Sequence, residues 1–390
     1  MRVLYLNPFS QEVSGPDESL RAMLGALIPG GVEAHVVLPM PGPQDERYRA
    51  LGATMHFAPL AVLRRDLSLD AVAFPLRLAR ATAAVRRIAR QVGADLIHTN
   101  MEVLLEGGLA ARTLRIPHIL HYRGNTLDRP KWVFDALAAV WTANADHVYC
   151  ISHATAHVFE KRGRGAKVEV LYNGIKAASF AAAVRSDEVR RSLGAGPAER
   201  LIGTVGRIHP RKDIETFVRA VAEVARSRPD VRAAIVGVAE APVELDYRQR
   251  VEALVRELGL EGRVTFAGAR RDMPAVMAAL DVFVLSSRHE GFGRVVAEAM
   301  AAARPLVVTD EGAPPELVER GRYGLVARPG DARDFAEKIA RLLDDGPAAA
   351  AMAAAAQRHA GGYDAAIAGA RVRARYAALM RSAAPTAPVR

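Results

Sequence analysis

Short apolar runs, many of them β-branched, recur along the chain, each followed by a turn signal and a longer stretch whose apolar residues return at helical spacing. In the first half they fall at 3–6, 34–38, 96–99, 118–122 and 147–151. The rhythm restarts at 201–205, 233–236, 264–267, 282–285 and 306–308. Strand-then-helix repetition predicts parallel sheets wound with helices, and two series predict two doubly wound α/β domains. The seam falls between Asn173 and Arg200, where Asn173-Gly174 is a turn dipeptide and Gly194 to Pro197 is rich in breakers. We expect domains at 1–180 and 181–362, with a ligand in the cleft at the carboxyl ends of the strands. The alanine-rich stretch 348–356 follows Gly346-Pro347 and reads as a helix with proline near its first turn. A polar, arginine-bearing helix is expected over 363–390; whether it crosses back to the first domain is left open.

At 390 residues, 50% hydrophobic and 25% charged, the chain is too apolar for disorder and too long for one ordinary core. Its start is too short and too soon polar for a signal-peptide core, and no stretch offers the uninterrupted apolar length of a membrane span. A cytoplasmic protein is expected, at most peripheral at the inner face of the membrane. Cys150 is the single cysteine, which excludes a disulfide framework and a cysteine-rich metal site.

The net charge of +10 fits a polyanion, a membrane surface or a phosphorylated ligand. Arginine supplies most of it, so a lysine at a special position is the more telling cation. Over 74–93, Leu76, Leu78, Ala81, Val85, Ile88 and Val92 lie among Arg77, Arg80, Arg86, Arg87 and Arg90. Such a basic amphipathic helix fits an anionic lipid surface or an ordinary domain helix with an arginine-rich solvated face, and we favour the latter. Nucleic acid is disfavoured, because the basic residues are spread over both halves and aromatics are only 6%.

Two loops carry candidate chemistry. After the run at 282–285 come Glu290, Gly291, Phe292 and Gly293, then a helix bearing Glu298. Glycines let backbone approach a ligand, a helix start offers amides to an anion, and the two carboxylates suit sugar hydroxyls. As an isolated pair, these glutamates read equally well as solvated acids at a helix start. After the run at 201–205 come Gly206, Arg207 and Lys212, whose cations suit a diphosphate. Alone, that loop reads also as a basic surface turn. Neither loop has the Walker phosphate-cradle pattern, which disfavours an ATPase.

Together with Asn173-Gly174-Ile175, Val236-Gly237, Phe266-Ala267-Gly268 and Glu298-Ala299-Met300, these loops resemble those of the family 4 glycosyltransferases. The resemblance spans most of the chain and is densest over 201–345. It implies the GT-B fold, two Rossmann-like domains facing a cleft. It also implies retaining transfer of a hexose from a UDP or GDP sugar to a hydroxyl acceptor in polysaccharide, glycolipid or small-molecule synthesis. No cofactor or metal is implied, and the chain has no Asp-x-Asp. By this resemblance Arg207 and Lys212 bind the diphosphate, Glu298 the ribose, and Glu290 with the Phe292 and Gly293 amides the transferred sugar. Gly206, Gly237, Gly268 and Gly291 belong to the donor loops, and Arg270 would lie against the base. Arg207, Lys212 and Glu290 would carry the catalysis, with Glu290 a positioner in a front-face displacement.

The first half departs from the family pattern. Where a glycine pair is common it has Gly15-Pro16-Asp17-Glu18, which suits either acceptor contact or the capping of its own helix. Arg123 stands where many relatives have histidine, and His121 precedes it by two. With His98, Asn100 and Asn173 these are the acceptor-side candidates, each able instead to be a strand-end residue satisfied by neighbours. Asp213 stands where many members have glycine. Rival readings are a GT-B nucleotide-sugar 2-epimerase and a non-catalytic sugar-nucleotide binding protein.

Overall fold

The computed structural model describes residues 1–11, 14–63, 69–124, 131–161 and 163–383; Val13, Asn125 and the last residues of the expected 363–390 helix lie outside them. Two compact units result, one of Met1–Gly174 with the residues from Ala365 onward, the other Ile175–Asp364. The division thus falls at Gly174 and Asp364, beside the expected 180 and 362.

The first unit is built on β1 (Arg2–Leu6), β2 (Glu33–Leu38), β3 (Thr54–Phe57), β4 (Leu96–Thr99), β5 (His118–Tyr122), β6 (His147–Cys150) and β7 (Val168–Val170), in the order β3-β2-β1-β4-β5-β6-β7. Every pairing is parallel. Helices cover both faces, so successive residues of β1, from Val3 to Leu6, are all apolar and buried. Val3 and Tyr5 pack with Leu20, Leu24 and Leu27 of the 15–27 helix, whereas Leu4 and Leu6 pack with Val85 and Ile88 of the 69–92 helix. Ala81, Val85, Ile88 and Ala89 are buried, so the apolar stripe of that basic helix is taken up by the core. The helix Ala365–Ala383 lies on the first face and adds Val372 and Tyr376 to its core.

The second unit uses β8 (Arg200–Val205), β9 (Val231–Val236), β10 (Val264–Gly268), β11 (Val282–Leu285), β12 (Leu306–Thr309) and β13 (Leu325–Ala327), in the parallel order β10-β9-β8-β11-β12-β13. Phe217 of the 214–227 helix and Phe335 of the 332–344 helix fill one core. In both sheets the strand order reverses beside the first strand, between β1 and β4 and between β8 and β11. Ligands collect at the carboxyl side of such a reversal, because the loops there diverge to opposite faces.

Candidate active site

In the second unit the loops leaving β8 and β11 meet beyond the strand ends. Gly206 and Gly237, both at φ +147°, end β8 and β9. A Cβ on Gly237 would come 1.9 Å from the Gly206 carbonyl oxygen, so the close approach that needs this glycine is backbone against backbone. Gly268 carries on the seam, its carbonyl accepting from the Gly237 amide at 2.9 Å. Residues 210–212 make one 3₁₀ turn, closed by Asp213 at φ +46°, immediately before the 214–227 helix. Left-handed backbone explains why glycine suits this position; aspartate tolerates it, and here its carboxylate holds Thr216 Oγ1 at 2.9 Å and Arg288 Nε at 3.2 Å.

The two loops are stitched together at several points. Ser286 Oγ donates to the Asp213 carbonyl at 2.9 Å, and the Arg288 amide donates to the Arg211 carbonyl at 2.9 Å. Across this seam Lys212 Nζ donates to Glu290 Oε1, which also accepts from Ser287 Oγ at 3.1 Å. Burial alone would raise the Glu290 carboxyl. The Lys212 charge and the hydrogen bonds from Lys212 and Ser287 outweigh it and hold the carboxyl below the ordinary glutamate value. Glu290 is therefore an anion at neutral pH, and its Oε2 has no partner among the described residues.

Gly312, at φ +73°, was not foreseen. A Cβ there would meet the Glu290 carbonyl oxygen at 2.3 Å, and the Ala313 amide donates to that oxygen at 3.0 Å, so the loop after β12 clasps the Glu290 turn. Its signal was the glycine and two prolines following β12. Gly293, at φ +80°, opens the helix Arg294–Ala301. Glu298 on that helix is largely buried and bonded to Arg294 Nη2 at 3.1 Å. The Phe292 side chain is buried edge-on to the Tyr363 ring.

Arg207 extends from Gly206 to Glu244 Oε1, 3.3 Å from Nη1. Arg270 makes a two-pronged pair with Asp272, at 2.8 and 2.6 Å, and reaches Ser192 Oγ at 2.9 Å, so its side chain ties its own loop together.

In the first unit the candidates separate into two groups. Asn100, Arg123 and Asn173 come together at the carboxyl ends of the strands. Arg123 donates to Asn100 Oδ1 at 2.6 Å, to the Asn100 carbonyl at 2.9 Å and to Asn173 Oδ1 at 2.7 Å. Asn100 donates in turn to Asn7, and Asn7 to Asp17, at 2.9 and 2.7 Å. Asn7 and Glu102, which accepts from the Arg123 amide, were missed by sequence reasoning. Asp17 also takes the Ser14 amide and hydroxyl, so the first acid of the pair after Gly15 caps its own helix, while Glu18 pairs with Arg21 and Arg47.

His98 and His121 are corrected: both are core residues. His98 Nδ1 lies 2.6 Å from the Tyr376 hydroxyl, and the two imidazoles stack at 5.6 Å between Tyr5 and Tyr149. A spacing of two would put His121 and Arg123 on one side of a continuing strand, but β5 ends at Tyr122 and the alternation does not carry past it.

Among the described residues no helix is long and apolar enough to cross a membrane, and no group of three acidic, histidine or cysteine side chains is placed to hold a metal.

Residues 185–359 match the family described as glycosyl transferases group 1, and residues 13–179 the one described as glycosyltransferase family 4. With two doubly wound parallel sheets in succession, the chain belongs to these family 4, group 1 glycosyltransferases and shares their GT-B fold class. It is 34% identical over 187 residues to the lipopolysaccharide core biosynthesis mannosyltransferase LpsB of Rhizobium meliloti, covering 47% of this chain and 53% of that one. The 2-deoxystreptamine glucosyltransferase of Streptomyces kanamyceticus is 29% identical over 291 residues, 69% of this chain and 73% of its own. The chain spans about half the length of the first curated relatives it matches. Among solved structures, Anabaena HepE in complex with UDP-glucose superposes with a TM-score of 0.82 at 26% identity, over 97% of this chain and 100% of that one.

Proposed function

We propose that the protein is a retaining hexosyltransferase, whose second unit binds a UDP or GDP sugar and which passes the sugar to a hydroxyl of a polysaccharide, glycolipid or small-molecule acceptor. The observation that carries this is the meeting of Lys212 and an ionised Glu290 across the strand reversal of the second sheet, beside the Gly293-opened helix. A leaving nucleoside diphosphate gains negative charge as the glycosidic bond breaks, and a fixed cation beside a helix start stabilises that charge. Lys212 and Arg207 serve this role in our reading without a divalent metal. Glu290 offers Oε2 to the sugar hydroxyls while Lys212 anchors Oε1, which makes it a positioner. The departing phosphate accepts the acceptor proton. HepE, bound to UDP-glucose, supports the donor class.

A melting-temperature screen against UDP, GDP and ADP is the first test, since a ligand at a hundred times its Kd stabilises by about 2.7 kcal/mol. A stabilising shift with UDP or GDP is expected; indifference to every nucleotide overturns the reading. Transfer that survives EDTA and keeps the anomeric configuration by NMR tests the finer claims. For a lipid-linked acceptor, co-sedimentation with anionic vesicles is expected to depend on Arg80, Arg87 and Arg90, which are exposed on the 69–92 helix.

A further inference from the structure

Glu244 belongs to none of the motifs above, yet it stands behind the arginine that the proposed function assigns to the diphosphate. It lies in the first turn of the helix Pro242–Glu257, and its side chain is only 3% exposed. Burying a carboxylate is unfavourable unless its oxygens are matched, and both of these are engaged. Oε2 accepts from the Glu240 amide at 3.0 Å and the Ala241 amide at 3.3 Å, while Oε1 meets Arg207 Nη1 at 3.3 Å. Glu244 at the third helical position thus reaches back to the amide of the N-cap Ala241 and the amide before it, the glutamate half of a capping box. One oxygen suffices for that task. The other is held, by the same bonds, against the guanidinium.

The backbone fixes the frame of this pair. The Gly206 amide donates to the Val236 carbonyl at 2.9 Å and the Ile208 amide to the Val238 carbonyl at 2.8 Å, so the chain is bonded to the neighbouring loop on both sides of Arg207. Glu240 and Ala241 continue that neighbouring loop. Arg207 and Glu244 thus face each other over a seam that leaves neither backbone room to drift. An arginine side chain gives up rotamer freedom when it binds a phosphate, and a carboxylate that already orients the guanidinium lessens that loss.

We infer that Glu244 is a positioning residue, which holds the Arg207 guanidinium oriented for the diphosphate of the donor. The inference rests on the proposed function. Glu244→Gln is the discriminating change: its one carbonyl oxygen can keep the helix cap only by turning its NH₂ toward the guanidinium, which puts donor against donor. Titration of the full-length protein with UDP and with GDP is expected to show a loss of affinity of about fivefold or more. In an Arg207→Ala background the same substitution is expected to change affinity by less than about twofold, since nothing remains to be oriented. A second variant separates cap from contact. Ala241→Ser in the Gln background adds a hydroxyl acceptor for the first amides inside the helix and is expected to raise melting temperature without recovering affinity.

Recovery of affinity by Ala241→Ser, an unchanged or tighter affinity in Glu244→Gln, or an equal loss with and without Arg207 each overturns the inference. Failure of the unaltered protein to bind UDP or GDP overturns the proposed function and this inference with it, whereas binding indifferent to Glu244→Gln overturns this inference alone.

Discussion

Lowering the pH is expected to weaken the first unit before its carboxylates are protonated. His98, His118, His121 and His147 are all buried on β4, β5 and β6. Burial holds His118 at about 4, against the opposing pull of the Asn144 carbonyl and Asp146, and holds His147 at about 4, with Arg375 adding to the effect and Glu169 opposing it. Burial and then the Arg123 charge push His98 and His121 well below the ordinary value. Tyr5, Tyr149 and Tyr376 line the same space and stay neutral throughout the range.

The sign follows from proton counting. Below about pH 6.5 the unfolded chain takes up protons that the folded unit refuses, so stability is complete above that pH and falls as acid is added. At about pH 5, His118 and His147 each lose about 2 kcal/mol, or about 4 kcal/mol together, and His98 and His121 add in the same direction. Since a domain holds only about 5–15 kcal/mol, this is a large share of it. The chain has two tryptophans, and both Trp132 and Trp141 sit on the 131–144 helix of the first unit, so their fluorescence reports that unit alone. Urea unfolding followed this way is expected to shift to markedly lower urea between about pH 7.5 and about pH 5. His121→Phe should narrow the gap, because the ring nitrogens of His121 have no hydrogen-bond partner to lose. Equal stability at the two pH values would refute the reasoning.

In the second unit, Lys212→Ala is expected to lower kcat by about a hundredfold or more with little change in melting temperature, as measured by single-turnover transfer. Glu290 keeps its charge until the pH falls below the ordinary carboxylate range, so nucleotide affinity should persist at about pH 5 when measured by calorimetry on protein still folded at that pH. Gly237→Ala forces a methyl into the Gly206 carbonyl and should destabilise the second unit by about 2–4 kcal/mol; a melting temperature equal to that of the unaltered protein would contradict the backbone packing.

The ten strands legible in the sequence are those with a run of apolar residues, and most of them have a neighbour on both sides. The three that were not, β3, β7 and β13, are all at sheet edges and only three or four residues long. An edge strand is satisfied on one side and leaves little hydrophobic signal. Lys212 and Glu290 were legible because each stands in a glycine-marked loop after a strand. Glu244 was not, since a glutamate in a first helical turn reads as an ordinary capping residue, and its contact with Arg207 depends on strand order. His98 and His121 were misread for a related reason: Tyr376 covers His98, and His98 and Tyr149 cover His121, contacts that no local pattern reveals.

The distance along the chain between β4 and Tyr376 matters for synthesis as well. A ribosome adding roughly 5–20 residues per second makes the whole of Ile175–Asp364 before the 365–383 helix exists. The first unit, discontinuous in sequence, therefore keeps an open face at Tyr5, His98 and Tyr149 while the second is being made. For roughly ten seconds or more in each round of translation, that face is a nascent surface with its covering helix unmade. Binding by a chaperone is expected to concentrate there, and a released chain truncated after Asp364 should be protease-sensitive in its first half and resistant in its second.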